Sequence, residues 1–462
     1  MGKKRRGAPL PAGADGGKPL VAIVGRPNVG KSTLFNKLAR RTIAIVEDMP
    51  GVTRDRHYAD SFALGREFVL VDTGGFDPGS DDPMTEGIAA NVRAALEECD
   101  LVICVFDGTS PALQADREAV HLLRQTDRPV IFVANKADGK KQAQESMGLY
   151  ELGVDDILPV SALHSRGLGQ LEERIVKALP EPRPVVEVDL KIPRVAIVGR
   201  PNAGKSSLVN RLMGAQKQLV DDRPGTTVDS VDTLYEDDDR RLILIDTAGM
   251  RRKTKVAKDA GKKDAPAVEQ LSVYQSIKAM QRSHVTVLMI DGADGVSEQD
   301  AKIAGLADDR GRALVIGLNK IDLMKGDERK KAIERTREIL AFVPWARVVP
   351  MSAKNGRGTR KLLEAIDEAV TSHRQRIPTA EVNRFFEEVL ERHPPPTMKN
   401  RAVRLYYVTQ AEVAPPTFVA VTNAPDHIHF SYQRYVINQL RERFGFDGSP
   451  IRMRYRSKKD RR

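Results

Sequence analysis

Two short segments of the chain have the residue types and spacing of a phosphate-binding loop. Both fit the pattern G-x-x-x-x-G-K-[ST]. Glycines in such a loop let backbone N–H groups wrap phosphates, and the N-terminus of the following helix adds its dipole. The lysine would reach the β- and γ-phosphates, and the serine hydroxyl would hold Mg²⁺. The loop residues are Gly25, Arg26, Pro27, Asn28, Val29, Gly30, Lys31 and Ser32, then Gly199, Arg200, Pro201, Asn202, Ala203, Gly204, Lys205 and Ser206.

A second pair of segments, of the form N-K-x-D, predicts which base is bound. The aspartate can accept both the N1–H and the 2-amino protons of guanine, whereas adenine would leave a buried acceptor unpaired. The tetrapeptides therefore favour GTP over ATP. Their residues are Asn135, Lys136, Ala137 and Asp138, then Asn319, Lys320, Ile321 and Asp322.

Two segments of the form D-x-x-G lie between these motifs. We expect Asp72 and Asp246 to end strands and to bind Mg²⁺ through water, and Gly75 and Gly249 to offer backbone N–H groups to the γ-phosphate. Short Ser-Ala pairs complete each set. The predicted nucleotide-binding residues of these segments are Asp72, Thr73, Gly74, Gly75, Phe76, Ser161 and Ala162, then Asp246, Thr247, Ala248, Gly249, Met250, Ser352 and Ala353.

The motifs recur in one order, so the chain contains an internal repeat. The phosphate loops and the D-x-x-G segments are separated by 174 residues, whereas the N-K-x-D segments are separated by 184. The second copy thus has ten extra residues between Gly249 and Val285, and the basic stretch 251–263 lies in that window. A stretch there could respond to the nucleotide state or simply form a solvated loop.

The elements that position these motifs are predicted to alternate between strands and helices. Runs such as Leu101 to Phe106 are short, apolar and continuous, which is typical of parallel strands buried on both faces. We predict two doubly wound α/β P-loop domains with mostly parallel sheets, at 19–180 and 194–373, joined by a proline-rich linker at 181–193. A small α/β domain of order αββαβ is expected at 376–456, with Thr379 capping its first helix.

Length and composition bound the alternatives. A chain of 462 residues is long enough for about three domains. No apolar run approaches the roughly 18 residues that a membrane span needs, so we expect no membrane partner. The start, with Lys3-Lys4-Arg5-Arg6, is not typical of a secretion signal. Two cysteines exclude a disulfide scaffold, and a reducing cytoplasm is expected.

The net charge of +11 is concentrated near the two ends of the sequence. We predict a basic flexible extension at 1–18 and a basic tail at 457–462. Arg452, Arg454 and Arg456 alternate with apolar residues, which would place three guanidinium groups on one face of a strand. Docking onto a polyanion and a role in solubility both remain open for the tails. Phosphate contact and protection of a sheet edge remain open for the arginines.

The order of the motifs is similar to that of the translation-factor-like GTPases. Two such domains followed by a C-terminal domain resemble the Der (EngA) family over about residues 19–456. That domain contains PPP at 394–396, PPTF at 415–418, HFSY at 429–432 and FGF at 444–446. The resemblance implies a GTPase in assembly of the large (50S) ribosomal subunit, a KH-like C-terminal fold, and Thr53 and Thr227 as switch threonines on Mg²⁺.

The resemblance also bears on catalysis. Phe76 and Met250 follow the D-x-x-G segments, where Ras-like proteins have a glutamine that positions water, so we expect a low intrinsic rate. Asn28 and Asn202 match the asparagine that helps coordinate K⁺ in related GTPases, although a turn-forming role would also explain them. The predicted catalytic residues are Lys31, Lys205, Thr53, Thr227, Asn28 and Asn202, and the predicted metal ligands are Ser32, Thr53, Asp72, Ser206, Thr227 and Asp246.

Three functional hypotheses follow. The first is a GTPase switch whose GTP form binds the large ribosomal subunit, and we expect a monomer. The second is the GTPase subunit of a tRNA-modifying enzyme, but that family has a C-terminal cysteine, and the last cysteine here is Cys104. The third is a scaffold for protein partners in which one G domain is structural. The C-terminal domain lacks the G-x-x-G loop with which KH domains clamp nucleic acid, so ordinary KH binding is not expected.

Overall fold

A computed structural model of the chain describes residues 18–39, 58–72, 92–93, 95–138, 146–154, 156–181, 192–214, 232–245, 265–395 and 403–457. The described residues fall into two compact units. One unit contains those up to residue 181 together with 265–278, and the other contains 192–245 and 279–457.

The first repeat forms a six-stranded sheet flanked by helices. The strand order is β2-β3-β1-β4-β5-β6, and every neighbouring pair is parallel except β2 with β3. The strands are Leu20–Val24 (β1), Tyr58–Ala63 (β2), Arg66–Asp72 (β3), Leu101–Asp107 (β4), Val130–Asn135 (β5) and Ile157–Pro159 (β6). The helices of this repeat are Lys31–Ala39 (α1), Gln114–Arg124 (α2) and Leu168–Ala178 (α3), with a 3₁₀ helix at Ser146–Leu152.

The second repeat forms a sheet with the same strand order, β8-β9-β7-β10-β11-β12, in which the β8–β9 pair is antiparallel. Its strands are Arg194–Val198 (β7), Thr233–Glu236 (β8), Arg241–Ile245 (β9), Val285–Asp291 (β10), Ala313–Asn319 (β11) and Arg347–Pro350 (β12). Its helices are Lys205–Gly214 (α4), Ala265–Arg282 (α5), Glu298–Asp309 (α6), Gly326–Ile339 (α7) and Thr359–His373 (α8), with a 3₁₀ helix at Ile321–Leu323. The predicted doubly wound, mostly parallel architecture is confirmed for both repeats.

Burial explains why these runs form strands. All seven residues of β4 are buried, and the same holds for β10 and β11, as expected for parallel strands covered on both faces. In each sheet the strand order reverses at the first strand, β1 or β7. Ligands of doubly wound folds bind at such a switch point, outside the carboxyl ends of the strands. The predicted motifs follow those ends.

The C-terminal domain has the predicted order αββαβ. Its elements are Thr379–Arg392 (α9), Leu405–Val413 (β13), Pro416–Thr422 (β14), Phe430–Phe444 (α10) and Arg452–Ser457 (β15), with a 3₁₀ helix at Pro425–His427. Strand β14 is central, antiparallel to β13 and parallel to β15.

The first helix of this domain shows one difference from the prediction. Pro378 occupies the N-cap position, and Thr379 is the first helical residue, without a side-chain capping bond. A capping side chain acts from the N-cap position, and Thr379 lies one residue past it, so the expected threonine cap does not form. The apolar face behaves as predicted, since Val382, Phe385 and Phe386 are buried in the domain core.

The C-terminal domain is attached to the second repeat through the main chain of Gly448. Its N–H donates to the carbonyl of Trp345 (2.8 Å), and its carbonyl accepts from the N–H of Leu314 (2.8 Å). Gly448 has a φ of +74°. Arg452 of β15 adds an ion pair with Asp308 of α6 at 3.4 Å. These contacts lie within one compact unit.

Candidate nucleotide-binding sites

Each phosphate loop follows the first strand of its sheet and ends where a helix begins, at Lys31 or Lys205. Gly30 and Gly204 have φ values of +91° and +101°. A Cβ at Gly30 would collide with the side-chain amide of Asn135, so glycine is required there for space as well as for conformation. The loops also turn through left-handed residues at Asn28 (φ 65°) and Asn202 (φ 64°).

The loop lysines are held by main-chain oxygens of their own loops. Lys31 Nζ donates to the carbonyl of Arg26 at 2.9 Å. Lys205 Nζ donates to the carbonyls of Gly199 (2.7 Å) and Arg200 (2.6 Å). Burial lowers the pKa of Lys31, and it lowers the pKa of Lys205 to about 8. Each ammonium group is therefore held in place by its own loop and partly desolvated.

Ser32 and Asp72 come together at the edge of the first sheet. Ser32 Oγ donates to Asp72 Oδ2 at 2.6 Å, and Asp72 is the last residue of β3. Mg²⁺ prefers oxygen ligands and keeps several waters, so a serine hydroxyl beside a carboxylate fits this ion. In the second repeat Ser206 lies at the equivalent place in α4.

An asparagine links three motifs in each repeat. Asn135 Nδ2 donates to the carbonyl of Val29 in the phosphate loop (2.9 Å), and Asn135 Oδ1 accepts from the N–H of Ala162 (2.9 Å). Asn319 makes the same two bonds with Ala203 (2.8 Å) and Ala353 (2.9 Å). The base motif, the phosphate loop and the Ser-Ala pair thus form one connected structure in both repeats.

The aspartates predicted to recognise guanine are oriented by serines of the Ser-Ala pairs. Ser161 Oγ donates to Asp138 Oδ1 at 2.5 Å. A hydrogen bond from Ser352 lowers the pKa of Asp322 below its usual value. An ionised carboxylate is an acceptor only, which suits a base edge that presents two donors.

Two aspartates to which the sequence assigned no role contact the lysines of N-K-x-D. Lys136 has a φ of 68°, and its Nζ lies 2.6 Å from Asp107 Oδ2. Lys320 pairs with Asp291 in the same way. Burial raises the pKa of Asp107, but hydrogen bonds from Lys136 and Thr109 outweigh it and leave the pKa lowered. The sequence contains a signal for these aspartates, because the pairs Asp107-Gly108 and Asp291-Gly292 keep the same 184-residue spacing as the N-K-x-D motifs.

Several predicted site residues lie outside the described part of the chain. They are Thr53, Thr73, Gly74, Gly75, Phe76, Thr227, Asp246, Thr247, Ala248, Gly249 and Met250. The stretch 251–263, most of the predicted linker, residues 1–17 and residues 458–462 also lie outside it. None of the helices that the structure describes is long and apolar enough to cross a membrane.

Comparison with protein families finds matches for both repeats and for the C-terminal domain. Residues 20–136 and 194–320 match a family described as "50S ribosome-binding GTPase". Residues 376–456 match a family described as "KH-domain-like of EngA bacterial GTPase enzymes, C-terminal". Among solved structures, Era of Aquifex aeolicus bound to GDP·AlF4⁻ aligns at 20% identity over 58% of this chain and 93% of that one, with a TM-score of 0.29.

Curated relatives match almost the whole length. The chain is 42% identical over 447 residues to GTPase Der of Geotalea daltonii, covering 96% of this chain and 99% of the relative. It is 45% identical over 446 residues to GTPase Der of Moorella thermoacetica, covering 96% and 100%. The fold and its two sites define a P-loop GTP hydrolase with tandem G domains. The chain belongs to the GTPase Der family, also called EngA.

Proposed function

We propose that this GTPase is a nucleotide-gated factor in assembly of the large (50S) ribosomal subunit, hydrolysing GTP to GDP and phosphate in both G domains. The observation that carries the proposal is the match of both G domains to the family described as ribosome-binding GTPases. The C-terminal domain of EngA type supports it. In this scheme the GTP form binds the ribosomal particle in the cytoplasm as a monomer, and hydrolysis releases it.

The residues of each site have separate roles in this proposal. Lys31 and Lys205 bind phosphate oxygens and stabilise the negative charge of the transition state. Asp138 and Asp322 select guanine. Ser32 and Asp72, with Thr53, would hold Mg²⁺ in the first site, and Ser206, Thr227 and Asp246 would hold it in the second. When bound, Mg²⁺ neutralises phosphate charge.

Potassium is the part of the proposal that rests on Asn28 and Asn202. Both asparagines are exposed in their loops, and both have a left-handed backbone conformation. A monovalent cation beside the phosphates would provide the stabilisation that Phe76 and Met250 cannot. Turnover in KCl should exceed turnover in NaCl at equal ionic strength, and the difference should vanish in an N28A/N202A variant. Equal rates in the two salts would exclude the role of K⁺.

A basic surface for ribosomal RNA is proposed at the end of the C-terminal domain. Two of the three arginines of β15 have protein partners, since Arg452 pairs with Asp308 and Arg454 lies 3.5 Å from Glu412. Arg456 follows them in sequence, and then Lys458, Lys459, Arg461 and Arg462. Because Ser457 belongs to the strand, a truncation that tests the tail should start at residue 458.

Co-sedimentation with purified 50S subunits at moderate salt tests the function. We expect pelleting with a non-hydrolysable GTP analogue and loss of pelleting with GDP. The K31A/K205A variant is the matched control, because it loses both phosphate lysines and leaves the rest of each loop unchanged. Removal of 458–462 should weaken binding and reduce its salt dependence. Absence of pelleting in both nucleotide states would overturn the ribosomal role but leave the GTPase chemistry standing.

A further inference from the structure

The loop arginine that follows the first glycine of each phosphate loop is anchored on a buried aspartate. Arg26 Nε lies 3.3 Å from Asp116 Oδ2, and Arg200 Nε lies 3.0 Å from Asp300 Oδ2. Asp116 is 3% exposed and Asp300 is 0% exposed. A buried charge is costly unless an opposite charge lies beside it, so each ion pair favours a fixed position for the arginine.

The same arrangement occurs in both repeats, which makes an accidental contact improbable as its explanation. Asp116 and Asp300 are 184 residues apart, the spacing of the N-K-x-D motifs, and the two arginines are 174 apart, the spacing of the phosphate loops. Each aspartate lies in the first turn of its helix, α2 or α6. The same pair therefore forms in both repeats, although the second repeat has ten extra residues between its arginine and its aspartate.

The aspartates are themselves fixed by the start of their helices. Asp116 Oδ2 accepts from the N–H of Leu113 at 3.0 Å. Asp300 Oδ2 accepts from the N–H of Ser297 (3.0 Å) and from its hydroxyl (2.8 Å). In each pair the same carboxylate oxygen accepts a hydrogen bond at the start of the helix and lies beside the arginine Nε. The helix therefore holds the guanidinium at a fixed position.

The anchored arginine in turn positions the phosphate lysine. The carbonyl of Arg26 accepts from Lys31 Nζ at 2.9 Å, and the carbonyl of Arg200 accepts from Lys205 Nζ at 2.6 Å. A second side-chain contact restrains each arginine, from Arg26 Nη2 to Ser110 Oγ (2.5 Å) and from Arg200 Nη2 to the carbonyl of Gly295 (3.3 Å). Release of the guanidinium would free the loop segment that carries this carbonyl.

We propose that Asp116 and Asp300 are positioning residues for GTP hydrolysis, which hold the phosphate lysine in place through the loop arginine. They act at a distance and touch no phosphate. The inference rests on the GTPase activity of the family and is independent of the ribosomal partner. A positioning error of about 1 Å lowers rates by about 100-fold in enzymes whose chemistry depends on alignment.

The test isolates one G domain at a time in the full chain. The K31A background reports the second domain, and the K205A background reports the first. In K31A, we expect D300N to lower kcat for GTP by about 100-fold, with a smaller rise in KM, because the lysine pairs with charge that grows in the transition state. Rates are divided by the concentration of active sites, which is measured by titration with labelled GDP. A loss of folded protein is then not counted as a loss of rate.

Three further variants separate positioning from a structural role. R200A should lower kcat as much as D300N, and R200A/D300N should be no slower than either, since both act through one contact. D300E restores the charge and should recover part of kcat. E298Q removes an exposed carboxylate from the same helix turn and should leave the kinetics unchanged.

Wild-type kcat and KM in D300N and R200A would overturn the proposal. So would a loss confined to D300N, since the carboxylate would then act through the helix start and not through Arg200. If D300N does not fold, R200A decides alone, because it keeps the hydrogen bonds of Asp300 to the start of its helix. D116N and R26A in the K205A background repeat the test for the first domain.

Discussion

Nδ1 of His373 lies 2.9 Å from Oγ of Ser449, and both residues are buried, at 1% and 0% exposure. Burial lowers the pKa of His373 to about 3, and the neighbouring Arg312, His284 and Arg374 lower it further. His284 is similar, with its pKa lowered to about 4 by burial and by Arg374, Arg312 and Arg194. The end of α8 therefore contacts the C-terminal domain through a neutral imidazole.

A histidine held neutral by the fold makes stability fall in acid. Its folded pKa lies below its unfolded value near 6.5, so the unfolded chain takes up the proton first. The contribution of neutral His373 to the free energy of unfolding is fully present above about pH 6.5. It is lost as the pH falls towards 4, where the loss is on the order of 3 kcal/mol. In H373N the amide occupies the place of Nδ1 without titrating. Thermal unfolding from pH 7 to 4 should show a flatter curve for H373N, and parallel curves would contradict the prediction.

Loss of the linking asparagine should weaken nucleotide binding. N319A leaves the carbonyl of Ala203 and the N–H of Ala353 without the partner that each has now, which costs about 1–3 kcal/mol for each buried group. We expect GDP affinity of the second domain to fall by at least about tenfold, as measured by fluorescence titration in the K31A background. N210A, an exposed change on α4, is the control. Equal affinities of N319A and N210A would show that the link is dispensable.

Exchange of Asp138, the aspartate predicted to recognise guanine, should change the preferred base. An asparagine at position 138 offers one donor and one acceptor, so it no longer matches the two donors of guanine but matches the donor and acceptor of xanthine. D138N, in the K205A background, should lose GTP binding and gain XTP binding. Competition of XTP against labelled GDP measures the exchange, with D127N as a surface control. Unchanged selectivity would remove Asp138 from base recognition.

Gly448 should tolerate no side chain. Its φ is +74°, and a Cβ would lie 2.7 Å from Cβ and 3.1 Å from Cα of Ala369 in α8. We expect G448A to destabilise the protein by about 1–2 kcal/mol from backbone strain alone, with the clash adding to it. G214A is the matched control, because a Cβ there meets nothing within 4 Å. Urea unfolding followed by circular dichroism compares the two, and similar midpoints would contradict the prediction.

The sequence predicted the architecture well because the evidence for it is local and repeated. Continuous apolar runs such as that of β4 are sufficient to indicate buried parallel strands. The phosphate loops and the N-K-x-D motifs have fixed spacing, so their residues could be named individually. The αββαβ order of the C-terminal domain followed from the same kind of pattern.

The residues that the sequence missed depend on contacts between distant elements. The Arg26–Asp116 pair joins the phosphate loop to α2 across 90 positions of sequence, and no periodicity determines how that helix approaches the loop. The predicted Thr379 cap was wrong for a different reason, since the helix begins at Thr379 and the N-cap position belongs to Pro378. Gly448 gave no sign in sequence that it joins two domains through its main chain.

The main-chain link at Gly448 has a mechanical consequence. Leu314, which donates to the Gly448 carbonyl, lies near the start of β11, and Asn319 is the last residue of that strand. The two are separated by roughly 16 Å of extended backbone whose hydrogen bonds continue into both neighbouring strands. A force that acts on the C-terminal domain is therefore transmitted to the sheet along β11, the strand that ends at the N-K-x-D motif. The hydrogen bond to Gly448 and the N-K-x-D motif thus lie near opposite ends of one strand, β11.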